Sequence, residues 1–301
     1  IHEALLTNTP TTKRDIFYKD VPLFGTQTVV DELVTAVAAT LEIPRGLMNV
    51  RASPKGIFCG SGLKIRLKKG ERIHGNNNEG SLIPAIEDIA FLEVSDDVGW
   101  VLVIEKEAVF QTLCKSGLTM KPDCPGSGIL ITGKGYPDLA TRGLTSRLSV
   151  MLPPTVPILA LVDGDAYGLD ILSVYKFGSR CTQYEGPGIL TPRIEWMGIR
   201  ASELMSCNID RDNLIPLTRH DHKKALELLK RDITLLPVEW RKEITHMLYA
   251  RRKAEIEILA SLKIDSGASL DKYKPALDNP LITYVTGKLN GHVNNLYILE
   301  M

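Results

Sequence analysis

Ile158-Leu159-Ala160-Leu161-Val162-Asp163-Gly164-Asp165 sets five consecutive apolar residues ahead of two carboxylates parted by a glycine. A run that is apolar at every position reads as a strand buried on both faces, the pattern of a parallel sheet covered by helices. Two runs of the same kind lie upstream, Trp100 to Ile104 and Ile129 to Ile131. Helical stretches lie between or after them, roughly 106–115, 138–150 and 166–177. The alternation predicts an α/β sheet with helices on both faces. In such sheets ligands bind beyond the carboxyl ends of the strands. Glu105 directly follows Ile104 at one such end, and Asp163 and Asp165 stand at another. Three carboxylates converging there repel one another unless a cation lies among them, and hard oxygen donors favour magnesium or manganese. The plainer alternative is that each acid caps the helix that follows it. For Glu105 taken singly that alternative is preferred; for Asp-Gly-Asp the two readings stand level.

Upstream, residues 1–90 read as a small helical unit with strands behind it. Thr28 and Asp31 sit at capping-box spacing. After them Val29, Val30, Leu33, Val34, Val37, Ala38 and Leu41 recur on one helical face, and Pro44 and Gly46 stop that helix. Strand candidates follow at Met48 to Ala52 and Leu63 to Lys68. The second alternates, with Leu63, Ile65 and Leu67 on one face and Lys64, Arg66 and Lys68 on the other. Helices followed by a basic hairpin suggest a winged-helix module, with Lys64, Arg66 and Lys68 as DNA-contact candidates. On pattern alone an edge strand that uses lysine to block aggregation is preferred. Residues 76–80 read as a loop, either a wing tip or the hinge to a second unit spanning 91–301. Residues 219–232 and 238–262 read as two charged helices, and the final forty residues are left unassigned.

The 301 residues suit two packed units. Thirty-six basic side chains balance thirty-six acidic ones, so bulk charge neither favours nor excludes a nucleic-acid partner. Five cysteines form no CxxC pair, which fits reduced thiols in a cytosolic or nuclear protein. No apolar stretch approaches the roughly 20 residues of a membrane helix, and no signal-peptide pattern opens the chain. The first residue is Ile1 rather than Met, so a further N-terminal segment is expected. Gly128 to Lys134 fits the start of a phosphate-binding GxxxxGK loop, but Gly135 replaces the Ser or Thr and the intervening residues read as strand. No ATP site is expected in this chain. His220-Asp221-His222 reads as a solvated helix start rather than a metal site, and Arg251-Arg252-Lys253 as an exposed helix face.

Arg14-Asp15-Ile16-Phe17-Tyr18 raises a different possibility. A tyrosine hydroxyl has an ordinary pKa near 10, so forming the phenolate at neutral pH costs about 4 kcal/mol. A nucleophilic tyrosine therefore needs a cation or base nearby. Arg14 lies one helical turn before Tyr18 and could meet that need while gripping a phosphate. On spacing alone, packing is the preferred account of Tyr18.

Several segments occur together in one order. They are Arg14 to Tyr18 with Val21 to Phe24, Ala52-Ser53-Pro54-Lys55-Gly56, Glu105-Lys106, Gly133-Lys134-Gly135-Tyr136-Pro137-Asp138 with Thr141-Arg142, and Asp163-Gly164-Asp165. The series resembles the sporulation-eleven family, transesterases that make meiotic DNA double-strand breaks and are related to the A subunit of DNA topoisomerase VI. The resemblance runs from about residue 11 to at least 235. It implies an N-terminal winged-helix (CAP-like) domain followed by a Toprim α/β domain with a C-terminal helical extension. It also implies that Tyr18 is the nucleophile of a 5′-phosphotyrosyl intermediate, with Arg14 assisting. By the same resemblance Glu105, Asp163 and Asp165 hold Mg2+, with Mn2+ as a substitute, and Lys55, Lys134, Tyr136 and Arg142 contact double-stranded DNA. The expected active form is a homodimer in which each Tyr18 works with the other protomer's metal site. A topoisomerase VI B-like partner, accessory meiotic proteins and a nuclear location are also expected. A haloacid-dehalogenase phosphatase shares a DxD after a strand, but its nucleophilic aspartate stands near the start of the domain, whereas this pair comes last. The remaining alternatives are the resealing A-type chain of a topoisomerase VI, a Toprim nuclease that forms no adduct, and a non-catalytic DNA-binding scaffold.

Overall fold

The computed structural model describes residues 1–51, 53–178, 187–203, 209, 211–261 and 279–299. The chain begins with a helical cluster: α1 (His2–Leu6), β1 (Thr11–Thr12), α2 (Lys13–Lys19), α3 (Val21–Phe24), α4 (Gln27–Leu41) and β2 (Val50–Arg51), with β1 and β2 paired in parallel. A capping box fixes the start of α2, because Thr12 and Asp15 exchange side-chain and backbone hydrogen bonds. The box expected at Thr28 and Asp31 does not form. Helix α4 begins at Gln27, and Asp31 instead pairs with Lys13 of α2 at 3.2 Å. Val30, Val34 and Ala38 of α4 join Met48 and Val50 in a small core, with Ile16, Phe17, Phe24 and Ile43 packed against it. Val29, Leu33, Val37 and Leu41 stay exposed, so the apolar stripe of α4 is wider than the face it buries.

Strands β3 (Ile57–Cys59), β4 (Leu63–Leu67), β5 (Arg72–His74), β6 (Ser81–Leu82) and β7 (Ile89–Val94) come next. Strand β4 is central in the order β5-β4-β7, so it is not the edge strand its lysines suggested. Leu63 and Ile65 are buried and Lys64 and Arg66 face solvent, as the alternation predicted. The buried side of this sheet belongs to the large core of the chain and not to the helical cluster.

That core is built on β8 (Val98–Ile104), α5 (Glu107–Lys115), β9 (Ser127–Thr132), α6 (Leu139–Met151), β10 (Ile158–Leu161), α7 (Ala166–Phe177) and β11 (Ile194–Gly198). The six-stranded sheet has the order β11-β10-β8-β9-β3-β6; the first four strands are parallel, β3 runs against them, and β6, antiparallel to β3, runs with them. Both faces are covered. Val101, Val103, Ile129 and Ala160 meet Leu144, Leu148 and Leu172 on one side, while Leu102, Ile104, Leu130 and Leu161 meet Phe110 and Leu113 on the other. The mainly parallel α/β sheet is thus as expected. Strands β3 and β6 hydrogen-bond into this sheet, and the small core draws its buried residues from Val30 to Val50.

The C-terminal part carries β12 (Ile215–Pro216), α8 (Arg219–Leu229), α9 (Val238–Ala250), β13 (Arg252–Lys253) and α10 (Pro280–Leu299). The helix expected to run to residue 262 stops at Ala250. Arg251 turns left-handed at φ 54°, and β13 then pairs antiparallel with β12. Arg251-Arg252-Lys253 is therefore a turn and a strand, not a helix face. No helix among the described residues is long and apolar enough to cross a membrane.

Candidate active site

Strands β8 and β10 are parallel neighbours with Ile104 opposite Leu161, so the residues that follow them emerge side by side. The Asp163 N–H donates to Glu105 Oε2 at 2.8 Å. Asp163 Oδ1 accepts from the Ile256 N–H at 2.9 Å. Asp165 is the N-cap of α7, and its Oδ1 accepts from the Tyr167 and Gly168 N–H groups at 2.9 Å each. The capping account is therefore correct for Asp165, but it uses only one of that side chain's oxygens. It fails for Glu105, because the N-cap of α5 is Lys106. Gly168 is required where it stands: a Cβ there would lie 2.3 Å from the Asp163 carbonyl oxygen.

Burial, reinforced by the charge of Asp163, pushes the Glu105 carboxyl up to about 8. Burial likewise pushes Asp163 up to about 6, against the opposing pull of the Ile256 N–H and Lys106. Two ammonium groups offset this crowding. Lys106 Nζ lies 3.2 Å from Asp163 Oδ2, 3.0 Å from Glu255 and 2.6 Å from Glu257. Lys253 Nζ lies 3.3 Å from Asp165 Oδ2 and 2.9 Å from Asp221 Oδ1. In this arrangement the ammonium groups take a cation's place, and among the described residues no group of three or more His, Cys, Asp or Glu side chains is set for a metal. The donor chemistry nevertheless fits a hard divalent cation. Glu105, Asp163 and Asp165 each have one oxygen held by a backbone N–H and a second with no backbone partner.

The loop after β9 folds back on the same strand end. The Gly135 N–H and the Thr132 hydroxyl both donate to the Glu105 carbonyl, at 2.9 and 3.3 Å. Lys134, left-handed at φ 53°, pairs with Glu107 at 2.9 Å. Lys55 Nζ donates to the Lys134 carbonyl at 3.2 Å, and the Lys55 and Gly56 N–H groups both donate to Asp138, which caps α6. The Tyr136 hydroxyl donates to Asp170 at 2.5 Å. Lys55, Lys134 and Tyr136 are thus gathered around the end of the sheet that carries Glu105. Arg142, on α6, is buried, with only 2% of its surface exposed. Gly128 to Thr132 lie within buried β9, as their strand-like composition indicated.

Tyr18 stands on α2 with 66% of its surface exposed, while its neighbour Phe17 turns into the small core. The packing account therefore belongs to Phe17. Arg14 is exposed on the same helix. Among the described residues, no hydrogen bond, ion pair or ring contact brings Tyr18 or Arg14 to Glu105, Asp163 or Asp165. Lys64, Arg66 and Lys68 are exposed and also apart from the trio; Arg66 stacks over Phe91 at 5.2 Å and faces Arg72 across the strand. The pattern reading missed Lys253 and Asp221. Asp221 closes a capping box with Thr218 and is buried, while His220 and His222 on either side of it are exposed.

An α/β sheet that brings a glutamate and an Asp-Gly-Asp to neighbouring parallel strand ends has the arrangement of a Toprim protein. Residues 100–273 match the family described as the Toprim domain of the topoisomerase 6 A subunit/Spo11, and residues 1–50 match that described as type IIB DNA topoisomerase. The chain belongs to this family, which joins Spo11 with the A subunit of topoisomerase 6. It is 35% identical over 268 residues to meiotic recombination protein SPO11 of Mus musculus, covering 88% of this chain and 65% of that protein. It is 38% identical over 264 residues to the A3 subunit of DNA topoisomerase 6 from Oryza sativa subsp. indica, covering 87% of this chain and 58% of that protein. With meiotic recombination protein rec12 of Schizosaccharomyces pombe it shares 33% identity over 264 residues, which is 86% of this chain and 70% of that protein. The chain therefore spans less than two thirds of the mouse and rice relatives.

Proposed function

We propose that the chain is the DNA-cutting subunit of a transesterase that makes the double-strand breaks of meiotic recombination. The observation that carries this reading is the meeting of Glu105 with Asp163-Gly164-Asp165 at adjacent strand ends, in a chain whose relatives include proteins named for meiotic recombination. The Tyr18 hydroxyl attacks a backbone phosphorus in line. A phosphotyrosyl bond forms to the 5′ side, the bond from phosphorus to the 3′ oxygen breaks, the phenolic proton leaves to water and the 3′ oxygen is released as a hydroxyl. Arg14, one turn away on α2, steadies the phosphate or the phenolate. Glu105, Asp163 and Asp165 hold Mg2+, or Mn2+ in its place, which when bound supplies Lewis-acid stabilisation of the charge developing on the phosphate oxygens. Lys55, Lys134 and Tyr136 seat the duplex near the carboxylates through its backbone, so binding is salt-sensitive and reads little sequence.

The N-terminal part, residues 1–90 by its sequence pattern, is the winged-helix unit that carries the nucleophile, and the rest is the Toprim unit with its C-terminal helices. Membership of the family supports a homodimer in which each site is shared between protomers. ATP, a B-type topoisomerase VI partner and accessory meiotic proteins act from outside this chain, and the setting is the nucleus.

The test is covalent capture. The protein with its B-type partner, duplex DNA and Mg2+ is expected to give a DNA–protein adduct that disappears in Asp163→Asn while folding is retained. Undiminished adduct in that variant contradicts the reading. The rice and Arabidopsis thaliana relatives, named for the A component of topoisomerase 6, favour a second reading, a chain that also reseals DNA. Relaxation of supercoiled plasmid distinguishes it from a break-maker.

A further inference from the structure

The two lysines at the carboxylate trio share one peculiarity. Each is divided between an acid of the trio and an acid outside it. Lys253 stands between Asp165 at 3.3 Å and Asp221 at 2.9 Å. Lys106 stands between Asp163 at 3.2 Å and the pair Glu255 and Glu257, at 3.0 and 2.6 Å. In both cases the outside acid is the nearer partner. The segment that carries Lys253, Glu255 and Glu257 is strapped across the Asp-Gly-Asp turn by backbone hydrogen bonds. The Gly164 N–H donates to the Ala254 carbonyl at 2.8 Å, and the Ile256 N–H donates to Asp163 at 2.9 Å. Gly164 lets this strap lie close, since a Cβ there would stand 3.2 Å from the Ile199 carbonyl and 3.4 Å from that of Ala254.

We infer that Lys106 and Lys253 are built-in counter-cations of the trio, and that Asp221, Glu255 and Glu257 are the sites to which they withdraw when a divalent cation takes their place. The inference rests on the metal reading proposed above and adds a control to it. Affinity for the cation is set by how readily each ammonium leaves its trio acid. Two unit charges a few ångströms apart in a partly buried site interact strongly enough to shift binding several-fold.

The reading makes opposite predictions for the two ends of one ion pair. Lys253→Met removes a competing charge and raises affinity for the cation. Asp221→Asn removes the place of withdrawal, leaves Lys253 on Asp165 and lowers affinity, while the asparagine oxygen still accepts the Thr218 N–H that closes the capping box of α8. Lys106→Met and the double variant Glu255→Gln/Glu257→Gln form a second such pair, raising and lowering it respectively. A merely structural role for the bridges would move both members of a pair in the same direction, since either change breaks the same contact. The measurement is titration of the full chain with Mn2+, following free Mn2+ by electron paramagnetic resonance, with thermal unfolding of each metal-free variant recorded alongside. Shifts of opposite sign, each on the order of three- to tenfold in Kd, are expected. Shifts of the same sign, or none, in variants that unfold like the wild type overturn the counter-cation inference while leaving the metal site standing. Wild-type binding that Glu105→Gln and Asp163→Asn do not weaken overturns the metal reading itself, and the inference with it.

Discussion

Phe17 and Tyr18 are adjacent aromatic side chains on one short helix, and they go opposite ways. Phe17 helps to close the small core, whereas Tyr18 projects into solvent beside it, with ring centroids 5.6 Å apart. Its hydroxyl makes no hydrogen bond among the described residues, so Tyr18→Phe is expected to leave unfolding stability within about 0.5 kcal/mol of wild type. A larger loss by denaturant melt contradicts the exposed placement. Asp170 is the opposite case, a buried acid that holds the Tyr136 loop. Burial raises its pKa, but hydrogen bonds from Lys224 and Tyr136 and the charge of Arg231 outweigh burial and hold it below the usual carboxylate range. The folded state thus binds that proton less readily than the unfolded chain. The stabilisation is present above the unfolded pKa of about 3.9 and is lost as pH falls through the lower folded value. Asp170→Asn is expected to cost about 2 kcal/mol at neutral pH, less than a fully buried pair because Lys224 and Arg231 keep some solvent. It is also expected to flatten the loss of stability toward pH 3 in urea unfolding. Parallel pH curves for the two proteins would contradict the assignment.

At the level of elements, the three-stranded sheet presents Lys64 and Arg66 from its central strand, flanked by Arg72 and His74. A central strand has its backbone paired on both sides, so the need to block edge-to-edge aggregation does not explain these cations. If the face meets phosphate, Lys64→Glu/Arg66→Glu lowers DNA affinity and reduces the slope of log K against log salt by about 2. An unchanged slope removes the face from the DNA path. Elements were legible in the sequence where burial is total. Strands β8, β9 and β10 are buried on both faces, and each carries an unbroken apolar run. Helix α9 was over-read because Arg251 to Lys253 continue a charged pattern. Only the left-handed turn at Arg251 and pairing with β12 end it, and both depend on the tertiary fold.

On the scale of the whole molecule, the carboxylates could be found in the sequence because strand ends announce them, whereas their counter-charges could not. Lys253 meets Asp165 across 88 positions of the chain and Asp221 across 32, and nothing local marks it. The burial of Arg142 likewise depends on packing between distant segments. On the proposed reading each Tyr18 works with the trio of the other protomer. A Tyr18→Phe chain mixed with an Asp163→Asn chain is expected to regain single-strand nicking, because the heterodimer holds one whole shared site. A site closed within one chain would regain nothing. Most direct of all is to locate the attachment itself. Trypsin cutting after Arg14 and Lys19 releases Asp15-Ile16-Phe17-Tyr18-Lys19, and mass spectrometry of the digested adduct is predicted to find the nucleotide on that peptide at Tyr18. A nucleotide on any other residue, or an adduct that survives Tyr18→Phe, would contradict the account.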